Sequence, residues 1–431
     1  MSNAFSKEER VAFENLLEGF QDALVLSRNV SVYNTDQTMM ERARDTIWRP
    51  MPYIAQSIST TPGTAIPAYQ NMTQLSVPAT LGYSQTVPWT MTTLELRDAL
   101  QEGRLGESAK QKLASDINVA IMNTAAAQGT LVVPTSASNG SYDDIALCDS
   151  IMNEQGVPNY DRFLGLSSRD YNGLAGNIAG AAAAATRSFG GDKSNRAFER
   201  SYVGPVAGFE TYKFDYANRI AASTAAGITI DTTDANIVEY VPQATSTTVG
   251  GQINVDNRYQ QVTLSSVVGV NVGDAFTIDG IEAVHHITKG STGEPKTYRV
   301  IALVGGGGND VIISPPIISA SGLAPTDAEL QYKNCELVSA NAAAPVTFLN
   351  TAAANINVFW QKDALEILPG RYAVPSDAGA AIMRASTDQG IELVMQKFYD
   401  IDSMTIKYRL DTLFGVVNKQ PEMSGILLFG Q

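Results

Sequence analysis

The chain is poor in the residues on which catalysis and redox chemistry most often rest. Its 431 residues include two histidines and two cysteines. His285 and His286 are adjacent, and adjacent strand residues point to opposite faces, so they cannot both serve one site. They are expected as exposed strand or loop histidines. No G-x-S-x-G elbow seats a nucleophilic serine, and no H-E-x-x-H can be written. Cys148 and Cys335 lie far apart and no C-x-x-C pair exists, which predicts free thiols in a reducing compartment rather than a disulfide.

Phosphate and metal motifs are missing as well. "GGDKS" at Gly190–Ser194 lacks the G-x-x-x-x-G-K-[ST] spacing that forms a phosphate cradle. "GGGG" at Gly305–Gly308 reads as a turn between strands. "DTTDAN" at Asp231–Asn236 lacks the spacing and the closing Glu of a calcium loop. The expectation is a chain that is not an enzyme, with no catalytic residue, no cofactor and no metal site.

Charge is scarce: 17% of residues are charged, against about 25% in typical soluble domains. Charge is depleted at the cores of protein interfaces, so either the chain buries much of its surface in an assembly or it has a neutral Ser/Thr/Ala/Gly-rich surface. The net charge of -14 argues against a chain built to neutralise phosphates, a task of Lys and Arg. Copies repel one another until salt screens them over a Debye length of about 8 Å. Glu8, Glu9, Glu14 and Glu18 interrupt the N-terminus, so it does not read as a signal peptide. No window approaches the roughly 20 apolar residues of a membrane span. The chain is therefore expected to be made in the cytoplasm, with no membrane partner.

What is present is a change of pattern along the chain. Ser6 and Glu9 have capping-box spacing, and Phe13, Leu17, Phe20 and Leu24 then recur on one helical stripe. That stripe is either a core face or an arm that docks on a partner. Prolines between Pro50 and Pro88 predict extended, loop-like structure. Leu105–Gln128 is the strongest helix, stopped by Gly129, and at 1.5 Å per residue it spans roughly 36 Å. The strand "TLVVP", a helix over Asp143–Gln155 and a strand near Phe163–Leu166 follow. From about Thr224 short β-branched runs take over, "GITI", "NIVEYV", "QVTLSSVVGV", "DAFTID", "TYRVIALVG" and "DVIISPP", the signature of an all-β barrel or sandwich. Two of them, Val262–Val270 and Ala275–Ile278, read as strands joined at the Asn271–Asp274 turn. The pattern ends near Leu349, and the tail from Gly390 reads as strands that complete the first domain. The β block is thus a domain-sized insertion, which requires two chain ends close together on a surface.

These residues carry a family resemblance. "DTIWRP" (Asp45–Pro50), "KLASDINVAIMNTAAAQGTLVV" (Lys112–Val133), "PVAGFE" (Pro205–Glu210), "AAGITI" (Ala225–Ile230), "NVDNRYQQVTLS" (Asn254–Ser265), "NVFWQKDALEI" (Asn357–Ile367) and "FGVVNKQPE" (Phe414–Glu422) stand in order along nearly the whole chain. In that order and spacing the chain resembles the major coat proteins of short-tailed phages of the P-twenty-two-like group. The resemblance implies an α+β fold, the tailed-phage capsid fold of the Hong Kong 97 type, with an inserted all-β barrel. It divides the chain into an N-terminal arm (1–40), an extended loop region (41–103), the spine helix of a peripheral domain (104–132), the first part of an axial domain (133–223), the insertion (224–349), and a stretch that completes the axial domain and returns to the periphery (350–431).

The implied function is a self-assembling, non-catalytic capsid subunit, located in the virion. Its implied partners are other copies of itself in hexameric and pentameric capsomers, a scaffolding protein, a portal protein, and double-stranded DNA enclosed without tight binding. Relatives can carry acidic residues in the loop before "INVDN", whereas Pro242–Gln252 has none. Contacts between capsomers are therefore expected from Thr245, Thr247, Thr248 and Val249 rather than from ion pairs, and the arm stripe of Phe13, Leu17, Phe20 and Leu24 is a second candidate for assembly. A decoration or receptor-binding protein using an Ig-like β domain is the alternative, but it leaves the long helix and the proline-rich segment unexplained.

Overall fold

The computed structural model describes residues 5, 7–33, 46–52, 55, 57, 61–64, 69, 71–92, 99–137, 140–179, 192–216, 218–231, 239–246, 253–305, 308–322, 324–338, 343–373 and 379–431. Ser6, Thr247, Thr248 and Val249 lie outside the described residues. The chain divides into two compact units: residues 1–47, 78–124 and 365–417 form one, and 48–77, 125–364 and 418–431 the other. Among the described residues no helix is long and apolar enough to cross a membrane.

The first unit is built on a six-stranded sheet. Strands run in the order Ser31–Val32, Leu365–Pro369, Thr405–Asn418, Glu392–Asp400, Ala381–Ser386, and Tyr83–Thr92 also pairs with Thr405–Asn418. Ile406, Tyr408 and Leu410 are buried while Lys407 and Arg409 between them are exposed, the period-2 pattern of a half-buried strand. Tyr83 stacks on Phe414 at 5.2 Å and Trp89 on Tyr408 at 5.5 Å, so the pairing of these strands is fixed by aromatic contacts as well as by the ladder. The prolines predicted loop-like structure up to Pro88, yet Tyr83–Thr92 is a strand. Pro88 fits because, among the described residues, its strand pairs on one side only, and an edge strand tolerates the missing N–H.

Two helices pack in this unit. The first, Lys7–Ala23, lies along Ala99–Gln128 in the same direction. A Cβ on Gly106 would stand 3.2 Å from Leu16 Cδ1, and Asn118 Nδ2 donates to Ala23 O at 3.3 Å. The long helix begins at Ala99, six residues before the predicted start, because Leu100, Gln101, Glu102 and Arg104 all favour helix.

Among the described residues the second unit holds two separate hydrophobic cores. The first lies on a mixed five-stranded sheet, ordered Leu131–Thr135, Ser424–Phe429, Asn357–Gln361, Arg162–Ser167, Glu210–Phe214, with Leu164, Phe209, Phe359 and Leu427 among its buried members. The helix Tyr142–Glu154 covers it; Ser141 and Asp144 form a full capping box at its start. Buried Arg162 binds Asp149, Asn153 Oδ1 (2.8 Å) and Val157 O (2.7 Å), pinning the last turns of the helix to the loop that follows it.

The other core belongs to the insertion and includes Ile228, Leu264, Phe276, Tyr298, Ile313 and Val346. Its antiparallel strands are ordered Cys335–Leu337, Ala275–Val284, Ser291–Leu303, Asp310–Ser314, Gln260–Thr263, with Val346–Phe348 also on Ala275–Val284. This corrects the sequence reading of Val262–Val270 and Ala275–Ile278 as a joined pair. The earlier strand is only Gln260–Thr263, and its neighbour is Asp310–Ser314. Gly269 explains the break: its φ is +83°, and a Cβ there would stand 2.8 Å from Ala225 N, so the chain turns against the start of the insertion instead of continuing extended. The Asn271–Asp274 turn itself is present, closed by Asn271 N donating to Asp274 Oδ2 at 2.9 Å.

Candidate functional site

The insertion meets the body through a set of buried polar contacts. At its root, fully buried Asn350 joins both chain ends. Its Nδ2 donates to Ala221 O (3.0 Å) and Asp274 Oδ1 (2.9 Å), and its carbonyl accepts from Ser223 N (2.8 Å). The two ends are therefore adjacent, as a domain insertion requires.

Above the root, Arg299 reaches out of its strand to the end of the long helix. Nη2 donates to Ala126 O at 3.1 Å, Nη1 to Gly129 O at 3.2 Å, and Nε to Gly273 O at 3.0 Å. Helix C-termini leave carbonyls without intrahelical partners and carry partial negative charge, so a buried guanidinium satisfies both needs at once. Burial lowers its pKa to about 10, with Asp274 acting in the opposite direction; the group stays charged at neutral pH. Thr297 Oγ1 adds a bond to Thr130 O at 2.7 Å.

Next to it lies an ionic cluster. Lys296, 2% exposed, pairs with Glu422 of the C-terminal turn. His286 Nε2 is 3.7 Å from Glu422 Oε2, and Lys289 lines the same side. Burial pushes His286 down to about 4; Glu422 works against that shift, and Lys296, Lys289 and His285 add to it. Burial also pushes Lys289 down to about 8. For Glu422 burial opposes its charge, but Lys296, His286 and Lys289 outweigh it and hold the carboxyl below the usual range. The expectation of exposed histidines is therefore wrong for His286, which is buried. His285 packs on the body: a Cβ on Gly156 would stand 2.8 Å from its ring, and Gly156 has φ +78°. His286 N donates to Gln155 O at 3.1 Å. The two residues do face different ways, one toward Gly156 and one toward Glu422.

Arg258 completes the anchorage. It holds Asp256 with two bonds, 2.9 and 2.7 Å, and donates through Nη1 to Asn418 O at 2.9 Å. Asn257 beside it clamps the stem of the neutral loop: its Oδ1 accepts from Gln243 N (3.0 Å) and its Nδ2 donates to Gln243 O (2.9 Å).

The candidate assembly residues fall in different places. Thr245 is half-buried and bridges Asn254; Thr247, Thr248 and Val249 are beyond the described residues. Phe13, Phe20 and Leu24 are buried in the subunit and Leu17 is half-buried. Of the two readings of that stripe, the structure shows the core face. The helix turns Arg10, Val11, Glu14, Asn15 and Glu18 outward. Glu9 sits under Lys397 and accepts from Tyr408 Oη at 3.0 Å, tying the helix to the sheet of its own unit.

The pattern reading missed the anchoring residues, although a signal existed. Arg299 interrupts the apolar run "YRVIAL", and a buried charge requires a partner. Nothing local named the partners on the body, because they lie more than a hundred residues away in the chain. Among the described residues no group of three or more His, Cys, Asp or Glu could hold a metal ion. Cys148 and Cys335 are free and buried, and burial pushes the Cys335 thiol up to about 12.

Comparison with known proteins places this arrangement. The family model described as P22 coat protein, gene protein 5, matches residues 1–430. Among solved structures, the chain is similar to the I-domain of the CUS-3 coat protein, with 34% identity, 30% of this chain and 98% of that one covered, and a TM-score of 0.23. It is also similar to the structure from Mycobacterium phage Che8, with 9% identity, 92% and 88% coverage and a TM-score of 0.42. For the capsid of cyanophage P-SCSP1u the values are 11%, 93% and 85%, and 0.42. The chain belongs to the P22 coat protein family: it is a major capsid protein whose inserted β-rich segment has a hydrophobic core of its own, and its place is the shell of the virion.

Proposed function

We propose that the subunit assembles into hexameric and pentameric capsomers with the help of a scaffolding protein, leaves one vertex to a portal protein, and encloses double-stranded DNA without gripping it. The net charge of -14 supports the last point, because a shell that repels phosphate lets packaged DNA move. In this reading residues 1–40 are an arm, 41–103 an extended region that lies over a neighbouring subunit, 104–132 a spine, 133–223 and 350–431 the axial domain with its return to the periphery, and 224–349 an insertion that steadies the subunit and contributes contacts between capsomers. The chain's role is structural and involves no catalysis.

The observation that carries the reading is the anchorage of the insertion. Arg299, Lys296 and Arg258 fix it to the end of the long helix and to the C-terminal stretch, so the loop at Pro242–Gln252 is presented from a firm base. We assign the contact to Thr245, Thr247, Thr248 and Val249, acting through apolar and hydrogen-bonded surface. Any docking of the arm uses its outward face around Val11, since Phe13, Phe20 and Leu24 are occupied within the subunit.

The experiment is assembly followed by light scattering against sodium chloride, with a scaffolding protein supplied. Screening relieves repulsion among copies, and the loop has no carboxylate whose pairing salt could weaken. Assembly should be faster, and shells at least as stable, as salt rises from about 0.05 to 0.3 M, where the Debye length falls from about 14 to 6 Å. Deleting Ala244–Val249 should give open or aberrant particles from a folded subunit. Shells that dissociate as salt rises, or a deletion that assembles normally, would place the contact elsewhere or make it ionic.

A further inference from the structure

The inserted domain also holds a stretch of chain that lies 256 positions earlier. Its short helix Asp327–Tyr332 starts from a full capping box of Thr326 and Glu329. Three side chains of that helix take up backbone groups of residues 71–75. Asp327 Oδ2 accepts from Asn71 N at 2.8 Å, Gln331 Oε1 from Thr73 N at 3.2 Å, and the Tyr332 hydroxyl from Leu75 N at 3.3 Å. The same hydroxyl donates to Thr73 O at 3.0 Å. Asp327 and Gln331 stand four apart and so share a helix face, and the captured amides are every second one. The helix side chains thus do what the carbonyls of a neighbouring strand do in a sheet. Both stretches belong to the second unit.

What this helix grips is the root of an exposed excursion. Met51 N donates to Leu75 O at 2.8 Å, and Gln74 Nε2 donates to Met51 O at 2.7 Å, so the chain that leaves at Met51 returns beside it. Every described residue from Pro52 to Met72 is exposed, Tyr69 by 89% and Met72 by 62%. Leu75 and Val77 after them are buried. The direction of the excursion is therefore set where it is held, at residues 71–75. Two of the four bonds there rest on one hydroxyl, and the outermost, Asn71 to Asp327, is exposed. Such a contact opens locally at far less cost than the fold as a whole.

We infer that the helix Asp327–Tyr332 is a clamp through which the inserted domain aims the excursion at residues 52–72, and that the clamped subunit is the form that joins a second copy. The inference rests on the reading of 41–103 as a region that lies over a neighbouring subunit. A segment ordered at its root before docking loses less conformational freedom when it binds. The inserted domain then serves assembly twice, by its own surface and by holding a segment outside it.

Two variants of the full chain test the clamp. Y332F keeps the ring and removes the hydroxyl, and D327A removes the outermost bond at an exposed position. Hydrogen exchange of the unassembled subunit is read first. In Y332F the amides of Thr73 and Leu75 should exchange about tenfold faster or more, while those of Ala275–Val284 and Ser291–Leu303 keep their rates. D327A should do the same for Asn71, and it decides the point if Y332F loosens the domain at large. Unchanged exchange at these amides would overturn the clamp. Assembly is then followed by light scattering with a scaffolding protein supplied. The double variant should assemble several-fold more slowly with its melting temperature unchanged. Fast exchange at the root together with assembly at the natural rate would overturn the link to assembly. Failure of the natural chain itself to form shells would overturn the capsomer reading, and with it this use of the clamp.

Discussion

Arg299 Nη2 stands 3.1 Å from the carbonyl oxygen of Ala126, so a side chain of the inserted domain caps a helix of the body. The bond links residues 173 positions apart in sequence, and it places the insertion's charge at the negative end of the helix dipole. An inserted domain could be tethered by its two connecting strands alone. Here a fully buried guanidinium makes it part of the body's own hydrogen bonding.

Replacing Arg299 with Met should therefore weaken the whole second unit and not only the insertion. Three carbonyl groups, of Ala126, Gly129 and Gly273, lose their donor. The expected loss is about 3 kcal/mol or more, read as a lower urea midpoint with both insertion and body probes moving together. A melt in which only insertion probes shift would show that the grip is local.

The Lys296–Glu422 pair is a second link of the same kind. Removing one partner with Lys296→Met leaves a buried carboxylate and should cost about 3–5 kcal/mol. The double variant with Glu422→Leu should recover much of that loss, since an apolar pair of similar size needs no compensation. A double-mutant cycle checks it; a coupling energy near zero would show that the pair is not a pair in solution.

Acid should loosen this ionic cluster before it denatures the chain at large. His286 has a folded pKa of about 4, below the unfolded value of about 6.5. The folded state therefore binds fewer protons between those values. Its stability contribution is complete above about pH 6.5 and is lost as pH falls toward 4, by up to about 3 kcal/mol. Glu422 is also depressed, so its contribution has the same sign and is lost at still lower pH. Glu422, Lys296, Lys289 and His285 are the charged or titratable groups acting on His286. The urea midpoint measured from pH 7 to 4 should decline, and H286Q should flatten the decline between 6.5 and 4. An unchanged slope in the variant would assign the acid response to other groups.

The first helix gives a prediction of different character. Phe13 and Phe20 are 5% and 0% exposed, so F13S and F20S should each destabilise the first unit by roughly 3 kcal/mol or more, as cavity and buried hydroxyl add. Differential scanning calorimetry of the unassembled subunit decides the point. Variants that melt normally yet fail to assemble would make the stripe a docking face after all.

Local patterns in the chain announced much of this architecture. The long helix, the strands after it and the switch to β at Thr224 were legible because propensity, periodicity and turn residues agree there. Pairing was less legible. Gln260–Thr263 and Ala275–Val284 are close in sequence yet not neighbours in the sheet, since Gly269 packs on Ala225 and redirects the chain. The stripe of Phe13, Leu17, Phe20 and Leu24 was visible as a stripe, but a docking face and a core face have the same period. The anchoring residues were the least legible. A charge inside an apolar strand signals that it needs a partner, and only the fold shows that the partner of Lys296 is Glu422.

The most direct test of the account is a cryo-electron microscopy reconstruction of particles formed by the full chain with a scaffolding protein. The account predicts closed icosahedral shells with the inserted domain on the outer face and Thr245–Val249 in contact with a neighbouring capsomer. Separate subunits or filaments, or shells in which that loop faces only solvent, would contradict it.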